Sequence, residues 1–283
     1  MKKILFVADV FSEDYLGGAE LTTDAIIDSS TENFTVRKIR CSDVKEEHIK
    51  EMKDVHWIIC NFSHLSKEIK LLMCKNLEYS IIEYDYKFCN YRSVELHKIR
   101  ENMDCDCLEK QENKINLIFY GMAKKIWFMS ESQRNIFLKK VKTIKEDRTS
   151  VLSSVFKEDN LNFIEELSTN KKNEKYIITS GGSWVKGYEQ TVDYARNNNI
   201  DYEVVPKMGY KELLKKMSMS KGLLFMPAGA DTCPRLVIEA KLLGCDLILN
   251  NNVQHKDEEW FSDRKKVLTY LKNKKKEFWK YYE

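Results

Sequence analysis

The stretch Pro227 to Gly244, PAGADTCPRLVIEAKLLG, carries the residues best spaced for chemistry. An apolar run ends at Met226, a loop of small residues follows, and Pro234 suits the first position of a helix. The unpaired backbone N–H groups of such a helix start, with the helix dipole behind them, form a phosphate site. Asp231 and Glu239 stand eight positions apart. Asp231 therefore falls in the loop above the helix start, and Glu239 about a turn and a half into the helix. A carboxylate at Glu239 can accept two ribose hydroxyls while Asp231 reaches toward a sugar. The same spacing also fits an ordinary strand–loop–helix with a surface acid at each point.

Elements that position these residues recur along the chain. Ile4–Ala8 is a continuous apolar run, the pattern of a strand covered on both faces of a parallel sheet. A polar loop, Asp9–Gly18, leads to a helix over Ala19–Ser29; strands follow at Phe34–Cys41 and Val55–Cys60. Leu65–Leu77 places Leu65, Ile69, Leu72 and Met73 on one helical stripe, and Tyr79–Tyr84 and Lys125–Met129 are further strands. Ser130 followed by Gln133 opens a helix to Lys140 with a capping box. The segment Tyr86–Asn116 is irregular and rich in charge, Cys, Tyr and Asn.

A charged, asparagine-rich run from Lys157 to Lys175 is expected to be a linker, after which the pattern restarts. Strands are expected at Tyr176–Thr179, Tyr202–Val205, Gly222–Met226 and Asp246–Leu249, and helices at Tyr188–Arg196, Lys211–Met217 and Pro234–Leu243. Strands alternating with helices define a doubly wound α/β architecture, here in two successive lobes. The expected boundaries are 1–156, 157–262 and a charged amphipathic tail helix over 263–283, with Val267, Leu271, Phe278 and Tyr282 on one side.

The 283 residues accommodate two such cores, and the net charge of +3 argues for neither nucleic acid nor membrane as a partner. No stretch approaches the roughly 20 apolar residues of a membrane span, and Asp9 interrupts the first apolar run, so a cytoplasmic location is expected. The 8 cysteines are scattered with no CxxC pair, which gives a structural zinc site little support.

The acid, seven residues, then Glu-Ala of Asp231 to Ala240, closing at Gly244, resembles the donor-binding motif of GT-B glycosyltransferases. It is most similar to the large retaining family 4, typified by sucrose and glycogen synthases and bacterial mannosyltransferases. The resemblance implies a two-lobed GT-B fold whose C-terminal helix packs back on the first lobe. It implies that Glu239 holds the nucleotide ribose, that Asp231 lies near the donor sugar, and that loop amides around Thr232 and Cys233 approach the pyrophosphate. Gly17 and Gly18 match the glycine loop after the first strand. Gly182 and Ser183 lead to Lys186-Gly187, where the family has Arg and then Lys-Gly; Arg235 can supply the missing charge. Asp85 matches the acid of the family's His-Asp-Tyr, with Tyr84 in the place of the His, and is the first-lobe candidate for the acceptor hydroxyl.

Several motifs are set aside. Asp104-Cys105-Asp106 spells the Asp-x-Asp of another glycosyltransferase fold but follows no apolar strand, and no metal is assigned. His64, past a strand end, is a minor candidate and otherwise a loop residue. No GxSxG, Walker or GxGxxG motif is present, against hydrolase, P-loop and Rossmann oxidoreductase readings.

The expected activity is therefore metal-independent, retaining transfer of a hexosyl or pentosyl group from a nucleoside diphosphate sugar, with no further cofactor. Expected acceptors are glycan, lipid-linked or other hydroxyls, with hydroxymethylated DNA bases as an alternative. A non-catalytic nucleotide-binding GT-B-like protein is the reading from a different class.

Overall fold

The run Ile4–Ala8 forms the buried part of the first strand, β1 (Lys2–Ala8), enclosed on both faces as a central parallel strand must be. A computed structural model describes residues 1–181 and 184–283. Among them the chain divides into two compact units, Met1–Val155 with Asn273–Glu283, and Phe156–Lys272.

In the first unit β1 is followed by α1 (Gly18–Asp28), β2 (Phe34–Arg40), α2 (Glu46–Glu51), β3 (His56–Ile59) and α3 (Lys67–Asn76). Then come β4 (Tyr79–Glu83), α4 (Val94–Glu101), α5 (Lys114–Met122), β5 (Lys125–Phe128), α6 (Glu131–Lys140) and β6 (Thr149–Val151). The strands pair parallel in the order β2-β1-β3-β4-β5-β6. Serines start three of the helices: Ser66, Ser93 and Ser130 Oγ accept the N–H of Ile69, Leu96 and Gln133. Each such cap is worth about 1 kcal/mol. The capping box at α6 is half realised, because the Gln133 side chain accepts from Met129 N at 2.6 Å. Phe137 of α6 packs against Tyr86, Phe88, Tyr120 and Phe128, and Tyr79 stacks on Phe119, giving the core an aromatic character.

The second unit contains α7 (Glu158–Leu167), β7 (Tyr176–Thr179), α8 (Tyr188–Asn197), β8 (Tyr202–Val205), α9 (Tyr210–Ser218), β9 (Gly222–Phe225), α10 (Arg235–Leu242) and β10 (Asp246–Leu249). Its strands are parallel in the order β10-β9-β7-β8, with Ile178, Val192, Ala195, Leu224 and Met226 at the core. The stretch expected as a linker holds α7. Leu161, Ile164 and Leu167 recur every three residues and are buried, and Glu158 and Asp159 complement the dipole at its start. The irregular segment 86–116 likewise contains α4 and the start of α5.

The last helix, α11 (Arg264–Tyr282), belongs to the second unit through Lys272 and to the first from Asn273. Val267, Leu271, Phe278, Trp279 and Tyr282 are buried. Trp279 lies 4.7 Å from the Phe34 ring and donates its Nε1–H to Ile26 O at 3.0 Å. Trp127 Nε1 donates to Tyr282 Oη at 3.0 Å. The helix therefore packs back on the first unit. No helix among the described residues is long and apolar enough to cross a membrane.

Candidate functional site

In an open parallel sheet, ligands bind beyond the carboxyl ends of the strands where the strand order reverses, because the two loops there diverge and leave a crevice. In the second unit that point lies between β7 and β9. The loop after β7 closes with a turn at Trp184–Lys186 and with Gly187, whose φ is +67°. A Cβ on Gly187 would overlap the Met226 carbonyl, so both its backbone angle and its surroundings require glycine. Ala228 N donates to Val185 O at 3.0 Å. Thr191 Oγ1 donates to Gly187 O at 2.6 Å and accepts from Met226 N at 3.2 Å. The two loops are thus fastened to each other, and Lys186 Nζ comes within 2.6 Å of Asp231 Oδ2.

Residues 250–254 brace the second loop from its other side. The Nδ2 groups of Asn250 and Asn252 donate to Pro227 O at 2.9 and 2.8 Å, and Asp231 N donates to Asn252 O at 2.8 Å. The Asp231 side chain is 15% exposed and the Lys186 side chain 49%, so the cation faces solvent while its partner is held. Thr232 and Cys233 are buried in the loop, and Pro234 stands just before the first residue of α10.

Arg235 and Glu239 of α10 are both buried. Tyr210 Oη donates to Glu239 Oε1 at 2.8 Å, and Arg235 Nε lies 3.7 Å from the same oxygen. The guanidinium carbon of Arg235 sits 3.8 Å from the Phe156 ring centroid, a cation–π contact. Both contacts to Glu239 fall on Oε1, and none is made to Oε2 among the described residues. Burial raises the Glu239 carboxyl above its ordinary value, with Arg235 and the Tyr210 hydroxyl opposing. The arrangement offers a solvent-facing cation, the positive end of a helix dipole, and a fixed carboxylate oxygen able to accept a hydroxyl. Gly182 and Ser183 lie outside the described residues.

The first unit reverses its strand order between β1 and β3. Gly17 is the cap residue of α1 and Gly18 its first residue; a Cβ on Gly17 would overlap the carboxylate of Glu20. From Glu20 a polar chain runs across the strand ends. Asn61 Nδ2 donates to Glu20 Oε1 at 3.4 Å, and Asn61 Oδ1 accepts from Arg92 Nη2 at 3.2 Å. Arg92 pairs with Asp85 Oδ2, and Lys87 Nζ stands 3.0 Å from Asp85 Oδ1 and 2.8 Å from Glu83 Oε1. The Tyr120 hydroxyl donates to Glu83 Oε2.

Burial acts to raise the Asp85 carboxyl, but Lys87 and Arg92 outweigh it and hold the group below its ordinary value. Burial pushes Glu83 up to about 7. Gln133 Nε2 donates to the carbonyls of Glu83 and Asp85 at 3.0 and 2.7 Å, which fixes the turn. Asp85 is thus an anchored member of an ion cluster. Tyr84 Oη lies 2.7 Å from Thr23 Oγ1, and His64 is exposed in a loop. A surface depression lined by Lys2, Asp54, His56, Lys124 and Tyr281 lies at the amino ends of the first unit's strands, opposite that unit's crevice.

Within the second unit the structure brings Lys186 to Asp231 and Arg235 to Glu239. Residues that sequence reasoning missed are Tyr210, Thr191, Asn250 and Asn252 there, and Lys87, Arg92, Asn61 and Gln133 in the first unit. Lys87 and Arg92 had a local signal, two cations within seven residues of Asp85. Tyr210 had none, since its partner lies 29 positions away.

No protein-family model matches the chain, and no curated protein matches it in sequence. Solved structures match its shape over nearly its whole length. The Anabaena protein Alr3699/HepE, solved in complex with UDP and glucose, has a TM-score of 0.55 at 11% identity, covering 97% of this chain and 94% of its own. OtsA, solved in its apo form, also has a TM-score of 0.55, at 9% identity over 96% of this chain and 91% of its own. AviGT4, a glycosyltransferase involved in avilamycin A biosynthesis, gives 0.52 at 10% identity over 97% and 92%. The chain has the GT-B fold, with two parallel α/β units and a C-terminal helix that returns to the first. The likeness is one of fold and singles out no one GT-B family.

Proposed function

We propose that this protein is a glycosyltransferase that moves a sugar from a nucleoside diphosphate sugar to a hydroxyl acceptor, with the donor held by its second unit. One observation carries the reading: the two loops at the strand reversal hold Lys186 beside Asp231 above the start of α10, whose second turn carries the buried Glu239. Glu239 Oε2 accepts a ribose hydroxyl. Lys186 and the α10 amides meet the diphosphate, and Arg235 adds positive potential beneath them. Asp231 faces the sugar once the phosphates draw Lys186 away. HepE, bound to UDP and glucose, supports a uridine donor.

Because protein cations and amides meet the leaving diphosphate, transfer proceeds without a divalent ion at the phosphates; the resemblance of the Asp231–Glu239 motif to family 4 supports retention of the anomeric configuration. Calorimetry with UDP, GDP and ADP, followed by turnover of the matching nucleotide sugars, tests the assignment. Binding of no nucleotide overturns it, as does inversion at the anomeric carbon for the stereochemical part. Added Mg²⁺ or Mn²⁺ is expected to leave the rate unchanged.

A second reading, a nucleotide-binding GT-B protein without transferase activity, rests on Tyr84. Its hydroxyl is engaged by Thr23 at the position where the family carries His. Tight nucleotide binding without donor consumption, across a panel of acceptors, would favour it.

A further inference from the structure

The excursion between β4 and α5 brings together four side chains that no part of the donor site uses. Cys89, His97, Cys105 and Cys107 each direct one ligand-type atom to a common point, all within 4.8 Å of one another. No other group of three or more such residues converges in this way among the described residues. We propose that these four residues form a zinc site that cross-links the two ends of this excursion to each other.

Two edges of the group match those of a tetrahedral zinc site. Zinc bonds of about 2.3 Å to sulfur and 2.0–2.1 Å to nitrogen give a sulfur–nitrogen edge of roughly 3.6 Å. His97 Nδ1 lies 3.4 Å from Cys107 Sγ and 3.8 Å from Cys89 Sγ, on either side of that value. Three thiolates and one imidazole are soft ligands suited to zinc, and four protein ligands close the coordination sphere, as in structural sites.

The surroundings point the same way. His97 is buried, and its other nitrogen, Nε2, has no hydrogen bond and lies 3.5 Å from Asp106 Oδ1, an oxygen that also pairs with Lys110 Nζ at 3.1 Å. A carboxylate behind a ligating histidine fixes the ring tautomer and strengthens the ligand. Asn90 N donates to Cys107 Sγ at 3.4 Å, which favours a thiolate there, and the Tyr91 ring packs edge-on against His97. Cys89 Sγ also lies 3.3 Å from Ser93 O.

The site also explains how Arg92 is held. Its φ is +56°, a conformation costly for arginine, and its N–H donates to Cys89 O while its carbonyl accepts from Tyr86 N. Fixing Cys89 fixes this turn and with it the Arg92–Asp85 pair.

The test needs no activity. Protein purified under reducing conditions and supplied with zinc is expected to hold one equivalent by elemental analysis. Cobalt in its place is expected to give a thiolate charge-transfer band and intense tetrahedral d–d bands. Cys107→Ser is expected to lose the metal, Asp106→Asn to weaken it about 10–100-fold, and Cys74→Ser to leave it unchanged. Should Cys107→Ser fail to fold, competition of the wild-type protein against a chromophoric chelator, with the cobalt spectrum, decides alone. No bound zinc, an octahedral cobalt spectrum, unchanged metal in a folded Cys107→Ser, or an intact mass showing a disulfide among these cysteines would each overturn the proposal.

Discussion

Tyr210 Oη, at the first residue of α9, donates to Glu239 Oε1, in the second turn of α10, at 2.8 Å. The bond occupies one carboxylate oxygen and orients the other. Hydrogen bonds to charged groups contribute about 1.5–3 kcal/mol, so Glu239→Gln is expected to weaken nucleotide binding roughly 10–100-fold. Tyr210→Phe removes only the orienting bond, a loss of about five- to tenfold. Calorimetry with the preferred nucleotide reads both; an unchanged Kd for Glu239→Gln removes the ribose contact.

Lys186 acts on charge that grows as the diphosphate departs. Lys186→Ala is expected to lower kcat by about 10²–10³ with a smaller effect on KM, the signature of lost transition-state stabilisation. Asp231→Asn releases the lysine in the free protein but leaves its charge, so its nucleotide affinity is expected to hold or rise while turnover falls. Equal loss of affinity in both variants would show that the pair is structural.

Gly187 is the joint between the two donor loops. Gly187→Ala forces a Cβ into the Met226 carbonyl at a positive φ, and a cost of more than about 2 kcal/mol is expected. The urea midpoint of the second unit measures it. A midpoint within error of wild type would mean that the loops are not locked as described.

The two units are expected to respond to acid through different groups. In the second unit His255 is buried between Trp260 and Phe261, and burial lowers its pKa to about 3 from 6.5. Below pH 6.5 the unfolded chain takes up a proton that the folded ring refuses, so stability falls as the pH drops from 6.5 toward 3. His255→Phe is expected to flatten that slope. In the first unit His56, lowered to about 4, acts in the same direction.

Glu83 opposes His56. The folded state keeps the Glu83 proton up to about 7, whereas the unfolded carboxyl releases it near 4.5, so its contribution declines as the pH rises between them. Glu83→Gln is expected to steepen the acid loss of the first unit. Urea midpoints at several pH values, followed for each unit, give the signs; a shallower acid slope in Glu83→Gln contradicts the account.

The parallel strands were legible because continuous apolar runs such as Ile4–Ala8 are too short for a buried helix and are bounded by polar turns. The loop–helix of Asp231 and Glu239 was legible because a strand, a small-residue loop and Pro234 are punctuation in a fixed order. Helix α7 was hidden because its apolar stripe is only three residues deep within a run of Lys, Asn and Glu. The grouping of Cys89, His97, Cys105 and Cys107 was hidden for another reason. Their spacing follows no short metal motif, and only the turn at Arg92 and the body of α4 fold the four positions onto one point. Tyr210 and Glu239 meet because two helices pack, which no local pattern encodes.

The return of α11 to the first unit has a consequence for the order of assembly during synthesis. Strands β1 to β6 emerge from the ribosome early, yet the flank formed by Phe6, Ile26 and Phe34 is covered only when Trp279 arrives, after the whole second unit. The nascent first unit therefore presents an unsealed apolar flank while the second is translated. Arrested nascent chains stopping at residue 262 are expected to be protease-sensitive in their first 155 residues, and chains extended through Trp279 resistant. The amino-terminal half of this fold is thus finished only after the second unit has been made.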